Sequence, residues 1–459
     1  MSFKNRWRIE GMLTTISPLH IGSGDTTTRD KILDEKKKKK ADIAAVATDH
    51  ENKPYLPGST LKGNLRAYLR NNGQDKNVID KLFGAEDPKA KDSCGGALEF
   101  WNVRVVDMSS TFDGKNVPYW CKDRLTGVTA SAVIDRQTRT AANQKLFYTE
   151  YVPKGIEFNV VITGQDLDDK EIALLIHALN GFKDGGVNLG AGEADNWGGF
   201  SWELETVKCI ETDDIKKWLA NPDTVGYEMI SNIGRDKKTD VEYIEKQLKQ
   251  SKPDILSLAF TLTFDSSFLV NDTSRDRDAK DGTGKKKFAD HYPLTDTSGK
   301  VILPSKSIRG AFRSQAERIL RTIGGGQAAC IDHEKAERKA CPSVYEVEKV
   351  KDSCPACQVF GLSGWRSPVQ FSDFTYVKNG GIKRQQFVAI DRFTGGGVDR
   401  AKFDADYADR PVLEGTIAID MTRLRKTKAI GWGLGLVALT LRDMIEGDVT
   451  LGLGTSKGY

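Results

Sequence analysis

Four cysteines in the second half of the 459-residue chain have a spacing typical of metal ligands. Cys354 and Cys357 form a C-x2-C pair in "CPACQVFG", and Cys330 and Cys341 precede that pair. Such thiolates prefer Zn²⁺ in a closed tetrahedral site, and four protein ligands leave no position open for a substrate. The pattern therefore predicts a structural zinc site, with His333 as an alternative ligand. A redox dithiol is the competing interpretation, although no thioredoxin-like pattern surrounds the pair.

Two aspartates occupy corresponding positions after lysine-rich stretches. Asp42 ends the segment "KKKKKAD", and Asp290 ends the segment "KKKFAD". One carboxylate beside a bound phosphodiester can orient a 2′-hydroxyl, accept a proton or hold a hydrated divalent ion, but it cannot form a two-metal nuclease centre. Taken without any family, an aspartate in such a position is more often a loop or capping residue. Asp49 and Asp296 are the nearby alternatives.

Basic residues recur on two predicted helices that begin alike, "LPGSTLKGNLR" at 56–66 and "LPSKSIRGAFR" at 303–313. Basic side chains four residues apart share one helix face, and the preceding hydroxyls are expected to cap the free N–H groups. A glycine in the middle of both helices, Gly63 and Gly310, costs helix stability and suggests that something approaches the backbone closely. The basic faces suit phosphate groups, although a solvated helix face is the alternative. The predicted RNA-binding residues here are Ser59, Lys62, Arg66, Ser307, Arg309 and Arg313.

Basic and aromatic residues also mix in two predicted hairpins. "VIDRQT" contributes Arg136, and "AIDRFT" contributes Arg392. Such a mixture suits single-stranded nucleic acid, since charge holds the backbone and aromatic rings stack on the bases. An exposed hairpin without a ligand is the alternative. Lys40 and Lys287, from the two lysine-rich stretches, complete the predicted RNA-binding set.

These matched segments belong to a duplication that runs through most of the chain. "LFG" and "VFG", and then "LGAG" and "LGLG", follow in the same order in both halves. We predict one domain at residues 1–205, a charged and packed connector at 206–255, and a second domain at 256–459 that carries the cysteine insertion at about 323–360. The chain length is sufficient for two such cores.

The hydrophobic pattern of each half predicts the order β-α-β-β-α-β. This order suits an α+β fold of two tandem ferredoxin-like (RRM-like) domains with protruding thumb hairpins. The sequence ends at Tyr459, where the repetition would place a last strand, and the pattern leaves open whether that strand follows.

Composition limits the remaining classes of function. Hydrophobic residues make up 39% of the chain, so a folded protein is expected. An odd number of cysteines, seven, argues against a disulfide framework and for a reducing cytoplasm. No run of eighteen apolar residues and no secretory signal is found, so a membrane location is not expected. The net charge of +4 leaves nucleic-acid binding to local basic clusters.

Taken together, "LHIGSGD", "LPGSTLKGNLR", "LFG", "VIDRQT" and "LGAGEADNWGGF" resemble segments of the backbone subunits of type III CRISPR–Cas effectors. Those subunits are members of the RAMP superfamily, in its Cas-seven group. The resemblance covers nearly all of the chain except the connector. Two copies in one chain resemble the tandem-fusion backbone subunit of subtype III-D.

The resemblance implies that both domains stack along a guide RNA and that their thumb hairpins displace guide–target base pairs at regular intervals. A loop aspartate then supports cleavage of the target RNA with Mg²⁺ or Mn²⁺, a role that falls to Asp42 and, after a one-residue deletion, to Asp290. The implied partners are guide RNA, target RNA and other type III effector subunits, with no membrane. A non-catalytic scaffold for the guide RNA is the alternative, and the sequence leaves open whether one or both aspartates cut.

Two further classes of function fit less well. A stand-alone guide-processing ribonuclease would need histidines or tyrosines suited to acid–base catalysis, and none is duplicated between the halves. A zinc-dependent DNA-binding protein would need a recognition helix beside the cysteines, and "AERKACPSVYEVEKVKDS" does not provide one.

Overall fold

The computed structural model describes most of the chain: residues 4–30, 32–34, 39–85, 95–106, 112–114, 117–136, 141–183, 185–220, 234–248, 254–272, 284, 288–296, 298–331, 338–344, 346–427 and 429–453. The predicted RNA ligand Lys287 and the alternative metal ligand His333 lie outside the described residues. Among the described residues, no helix is long and apolar enough to cross a bilayer.

In the first half and the connector, the strands are β1 (Asn5–Thr15), β2 (Gly22–Thr27), β3 (Leu33–Asp34), β4 (Lys39–Lys40), β5 (Ile43–Val46), β6 (Tyr55–Leu56), β7 (Leu98–Phe100), β8 (Val103–Val105), β9 (Gly127–Ile134), β10 (Ala141–Tyr151), β11 (Glu157–Gln165), β12 (Phe200–Glu211) and β13 (Arg235–Asp236). The helices are α1 (Gly58–Asn71), α2 (Lys76–Phe83), α3 (Asp169–Asn180), α4 (Thr212–Ala220) and α5 (Lys238–Gln247). A 3₁₀ turn at Glu193–Asp195, here called the acidic turn, lies between α3 and β12.

One antiparallel sheet organises the first half. Its strands follow the order β13-β12-β1-β11-β8-β6, and β7 also pairs with β11. Strand β1 lies in the middle, and its alternating pattern buries Trp7, Ile9 and Leu13, as expected for a strand with one covered face. Helices α1 and α3 cover that face, so their apolar side chains join those of the sheet in one core. Helix α3 begins with a capping box between Asp168 and Glu171, which fixes its first turn.

In the second half, the strands are β14 (Ile255–Thr263), β15 (Ser267–Phe268), β16 (Val369–Phe371), β17 (Thr375–Lys378), β18 (Ile382–Ile390), β19 (Gly397–Asp409) and β20 (Val412–Asp420). The helices are α6 (Ser305–Gly324), α7 (Pro355–Phe360), α8 (Met421–Lys426) and α9 (Ile430–Ile445). Short 3₁₀ turns lie at Gly326–Ala328 and Val347–Asp352.

The second half repeats the core of the first. Strand β20 pairs antiparallel with β14 on one side and with β16 and β17 on the other, as β11 does with β1, β7 and β8. Helices α6 and α9 pack on this sheet and bury Ile308, Phe312 and Leu436 in a second core. The expectation of a mixed α+β chain with antiparallel sheets is therefore confirmed.

Each half also carries a separate antiparallel hairpin. Strands β9 and β10 form the first hairpin, and β10 continues into a small sheet with β5 and β2. Strands β18 and β19 form the second hairpin, which β15 extends. Both hairpins lie outside the two main sheets.

The connector packs on the first half. Strand β12 runs past the predicted domain end at residue 205, because Val207, Cys209 and Ile210 continue its buried positions as far as Glu211. Helix α5 lies against α3, where His177 Nδ1 is 3.1 Å from Glu245 Oε1 in a buried pair. The division into domains itself stays a prediction.

The two halves contact each other through the acidic turn, which lies on the start of α6. Ser305 Oγ donates to the backbone oxygen of Asp195 at 2.5 Å, and Arg309 Nη1 is 3.1 Å from Asp195 Oδ1. Arg366 forms an ion pair with Glu193. This joint is therefore polar and specific in its partners.

Candidate nucleic-acid interface and metal centre

Asp42 lies at the edge of an open cavity of about 410 Å³ at the base of the first hairpin. It immediately precedes β5, whose Ile43 pairs in parallel with Tyr148 of β10. His20, Asp25 and Tyr148 line the same cavity. The Asp42 side chain is exposed, and its carboxylate has no hydrogen-bond or ion-pair partner among the described residues. An unpaired carboxylate in an open cavity is available to a ligand.

A fully buried carboxylate, Glu150 of β10, lies behind this cavity and ties its walls together. Arg29 Nη2 donates to Glu150 Oε1 at 2.6 Å, and Arg124 donates to both carboxylate oxygens at 2.9 and 3.0 Å. Thr126 Oγ1 and the backbone N–H of Val46 also donate to it, at 2.7 and 3.0 Å. Burial by itself raises the pKa of Glu150, but the hydrogen bonds from Arg124, Thr126 and Val46 outweigh it, so the pKa lies below its usual value of 4.5.

Glu150 also orients His20 through its backbone. His20 Nδ1 lies 2.7 Å from the Glu150 carbonyl oxygen, so Nδ1 carries the hydrogen in that contact. The other nitrogen, Nε2, then faces Gly22 at the cavity wall, where a β-carbon would lie 3.2 Å from it. Sequence reasoning missed Glu150, Arg29 and Arg124, because isolated charged residues in a hairpin and a loop carry no recognisable pattern.

Asp290 occupies the matching place in the second half. It immediately precedes His291, which pairs in parallel with Ala405 of β19, just as Ile43 pairs with β10. Unlike Asp42, Asp290 is half-buried, and its Oδ2 accepts a hydrogen bond from the backbone N–H of Asp404 at 3.0 Å. The two aspartates therefore share a position in the fold but differ in how freely their carboxylates face solvent.

The nearby alternatives, Asp49 and Asp296, close turns in both copies. Asp49 Oδ1 accepts from the backbone N–H groups of Glu51 and Lys53 at 2.9 and 3.0 Å. Asp296 Oδ1 accepts from those of Ser298 and Lys300 at 2.9 and 2.8 Å. These contacts give both aspartates a structural role.

The expected hydroxyl caps of α1 and α6 are not formed, so that prediction was wrong. The N–H of Gly58 donates instead to Asn102 Oδ1 at 3.0 Å, and the N–H of Ser305 donates to Asp373 Oδ1 at 2.8 Å. Both partners follow a strand that lies against the helix start: a β-carbon at Gly58 would meet the Phe100 carbonyl oxygen at 2.3 Å. The neighbouring strand therefore supplies the cap, and Ser59 stays exposed.

The basic residues of α1 and α6 differ in their contacts. Arg66 Nη2 is 2.6 Å from Asp80 Oδ1, whereas half-buried Lys62 has no polar partner among the described residues. Arg309 contacts the acidic turn and donates to the Phe360 carbonyl oxygen at 2.9 Å. Arg313 Nε is 2.9 Å from Glu317 Oε1. A paired guanidinium keeps further N–H donors, so RNA contact by these arginines stays a prediction.

Gly63 and Gly310 lie on exposed and open helix faces. A β-carbon built at either position would meet no described protein atom within 4 Å, so neither glycine is required by packing. Of the other predicted RNA ligands, Ser307 is half-buried in the first turn of α6, and exposed Lys40 forms an ion pair with Asp30.

The two hairpins present their predicted ligands differently. Arg136 of the first hairpin is 2.6 Å from Glu317 of α6, through Nη1 and Oε1. Arg392 is exposed at the tip of the second hairpin, next to the fully exposed ring of Phe393. Asp391 Oδ1 accepts from the N–H of Phe393 at 2.8 Å and thereby fixes that tip.

The sulfur atoms of Cys330, Cys341, Cys354 and Cys357 all lie within 4.8 Å of one another, without a disulfide. The Sγ atoms of Cys354 and Cys357 are each 3.5 Å from that of Cys330. Tetrahedral Zn–S bonds would place neighbouring sulfurs about 3.8 Å apart, so this donor set fits a zinc ion. Cys330 and Cys341 follow α6, Cys354 immediately precedes α7, and Cys357 lies within α7. Cys121 and Cys209 lie outside it.

The model of the RAMP superfamily matches residues 12–200 and 261–459, which correspond to the two halves. A curated relative is "CRISPR system Cms endoribonuclease Csm3" of Enterococcus italicus, which is 24% identical over 213 residues, 40% of this chain and 86% of that protein. The family match covers most of the chain and excludes the connector, in agreement with the duplicated core. The chain therefore belongs to the RAMP superfamily.

Proposed function

We propose that the chain is a backbone subunit of a type III CRISPR–Cas effector that binds guide RNA and cleaves complementary target RNA. Its tandem cores favour the fused subunit of subtype III-D. The similarity to a relative named as a CRISPR endoribonuclease supports the class. The observation that carries the proposal is the unpaired carboxylate of Asp42 in an open cavity at a hairpin base, at a position that Asp290 repeats.

The two cores are proposed to be ferredoxin-like, or RRM-like. In the first half the order β12-β1-β11-β7, with α1 after β1 and α3 after β11, supports this topology. The second half keeps the order β14-β20-β16. We place the guide RNA along the exposed faces of α1 and α6 and between the hairpins, in contact with Lys62 and Arg392.

The proposed reaction is attack by the 2′-hydroxyl of the target RNA on the adjacent phosphorus. A bond from the 2′-oxygen to phosphorus forms, the bond to the 5′-oxygen breaks, and the products are a 2′,3′-cyclic phosphate and a 5′-hydroxyl. Asp42 accepts the 2′-hydroxyl proton, while solvent protonates the leaving oxygen. Mg²⁺ or Mn²⁺ beside the same carboxylate would neutralise phosphate charge. Geometry imposed on the RNA supplies much of the rate.

A non-catalytic scaffold role fits the second half better than the first. The backbone N–H of Asp404 already occupies one oxygen of Asp290, whereas Asp42 is free of partners among the described residues. If the second half only holds RNA, Asp290→Ala leaves every product in place. If it cuts, that variant loses a product different from the one that depends on Asp42.

We propose that the four cysteines hold one structural zinc ion. Purified protein is expected to contain one zinc per chain by elemental analysis, and Cys354→Ser is expected to lose it, because a three-thiolate site binds more weakly. Cys121→Ser, a half-buried thiol in the first half, is the matched control and retains zinc. A reduced wild-type chain that takes up neither Zn²⁺ nor Co²⁺ would rule the site out.

If RNA contacts the open faces of α1 and α6, replacing the glycine on each face by alanine should raise the stability of the protein and lower its affinity for RNA. Gly63→Ala and Gly310→Ala are each expected to stabilise their helix by up to about 1 kcal/mol, since alanine is the better helix former. Each added methyl group is also expected to weaken guide-RNA binding about tenfold, because it occupies space next to the RNA backbone. Thermal unfolding and RNA titration measure the two effects.

Gly435→Ala in α9 is the matched control, because Gly435 is also exposed with no described atom within 4 Å of its β-carbon position. It should gain stability and keep its RNA affinity. If Gly63→Ala and Gly310→Ala behave like this control, the RNA does not run along these helix faces. Target cutting is tested separately, by replacing the two aspartates one at a time.

A further inference from the structure

We infer that the four-cysteine centre of the second half holds the first hairpin in place through a chain of side chains from Cys357 to Arg136. Arg313 Nη2 donates to Cys357 Sγ at 3.2 Å, and Arg313 Nε donates to Glu317 Oε1 at 2.9 Å. Arg136 Nη1 donates to the same Glu317 oxygen at 2.6 Å. The inference depends on the proposed metal, but not on RNA binding or cleavage.

Glu317 is the link in this chain that connects the halves. It is fully buried on α6, with Arg313 and Arg136 on one oxygen and Arg321 Nη2 at 3.8 Å from the other. A buried carboxylate requires its cationic partners, and loss of one of them leaves an uncompensated charge. The positions of Arg313 and Arg136 are therefore coupled, although the two residues lie in different halves.

The first half contains a contact that corresponds to the one between Arg313 and Cys357. When "LFG" at 82–84 is aligned with "VFG" at 359–361, Asp80 falls at the position of Cys357. When "LPGSTLKGNLR" at 56–66 is aligned with "LPSKSIRGAFR" at 303–313, Arg66 falls at the position of Arg313. Arg66 Nη2 contacts Asp80 Oδ1 at 2.6 Å, as Arg313 Nη2 contacts Cys357 Sγ. Both halves thus have an arginine at this position, and its partner is a carboxylate in the first half and a proposed metal ligand in the second. A metal ion bound by the cysteines would fix the position of Cys357 Sγ, and this sulfur in turn positions the Arg313 guanidinium.

A second contact shows that the hairpin lies along α6. Lys306 Nζ donates to Ser131 Oγ of β9 at 2.7 Å, near the start of the helix. Glu317 lies eleven residues further along α6, about 16 Å at the rise of an α-helix. Strand β9 and the residues after it are therefore held at two separated points, and the contact at Glu317 is the one that Arg313 links to Cys357.

The position of the first hairpin also affects the cavity that contains Asp42. Strand β10 of this hairpin pairs with β5, directly after Asp42, and carries Glu150. Arg136 is thus a positioning residue that acts on the cavity through the hairpin. The metal of one half sets the geometry of the candidate site in the other.

Hydrogen–deuterium exchange on the full chain tests the inference. Removal of zinc by a chelator is expected to raise exchange in peptides covering 127–136 and 141–151 by about tenfold, while peptides from β1 and α3 stay unchanged. Arg136→Ala should reproduce this rise with the zinc content intact, and Arg136→Lys should restore part of the protection. Arg392→Ala, in the second hairpin, is the control and leaves exchange in the first hairpin unchanged.

Two results would overturn the inference. One is that exchange in the first hairpin stays the same in zinc-free and zinc-loaded protein. The other is that Arg136→Ala exchanges like the wild type. If chelation unfolds the whole second half, hydrogen–deuterium exchange of the zinc-bound Arg313→Lys variant provides the test instead. Lysine keeps the positive charge but cannot make the forked contact of arginine. Exchange should then rise in the first hairpin alone.

Discussion

Asp42→Ala is expected to remove one product of target-RNA cleavage by the assembled complex, while guide-RNA binding stays at the wild-type level. The Asp42 side chain is exposed in its cavity, and its carboxylate has no hydrogen-bond or ion-pair partner among the described residues, so its loss is expected to cost little stability. Loss of a positioned proton acceptor typically slows a reaction by about 10²–10⁴-fold. End-labelled target RNA, resolved on a sequencing gel, measures the rate at each cleavage position.

Asp49→Ala is the matched control for this experiment, because Asp49 is a neighbouring aspartate that only closes a turn. It should keep every product. Asp42→Asn should behave like Asp42→Ala, since the amide has the same shape but accepts no proton. An unchanged product pattern with Asp42→Ala, in a complex that binds guide normally, would mean that the cut is made elsewhere.

Glu150→Ala is expected to destabilise the first half by about 3–5 kcal/mol, because it leaves Arg29 and Arg124 without their shared buried partner. Unfolding of a chain with two cores is not one transition, so the loss is best measured by urea-dependent hydrogen exchange in first-half peptides. Glu51→Ala, an exposed carboxylate in a surface pair with His50, should change stability by less than about 1 kcal/mol.

The same carboxylate predicts a dependence on pH. Because its hydrogen bonds hold the pKa of Glu150 below 4.5, the charged form is favoured in the folded state. The contribution of Glu150 to the free energy of unfolding is complete at pH values above the pKa of this carboxyl in the unfolded chain. It is lost as the pH falls through the lower pKa of the folded state. Glu150→Gln should remove that part of the acid sensitivity. If the Glu150→Gln variant loses stability at low pH as the wild type does, other carboxylates are responsible for the acid sensitivity.

The sequence was informative where a residue type or a repeat carries the signal. The duplicated segments led to two similar cores, and the four cysteines do converge in space. Asp42 and Asp290 were singled out by their distance from the same helix start, and the structure places them at matching points. Such features depend on local pattern and order along the chain.

Contacts between distant residues were beyond the reach of sequence reasoning. Arg136 and Glu317 are 181 positions apart, and nothing in either segment indicates the other. Asn102 and Asp373 cap α1 and α6, where serine hydroxyls were expected, because each of these helices begins against a neighbouring strand. Glu150 has no distinctive neighbours in the sequence, and its importance comes from burial among residues of three separate segments.

The contact at the acidic turn arranges the two halves head to tail. It joins unlike surfaces, the acidic turn of the first half and the start of α6 in the second, and a head-to-tail contact of this kind, when repeated, extends an array that closes into a ring or stays open according to the rotation at each step. Covalent fusion makes one step of that array permanent. The distance between the two candidate sites is then fixed by the polypeptide itself, and under the proposed function that distance sets a constant spacing along the RNA.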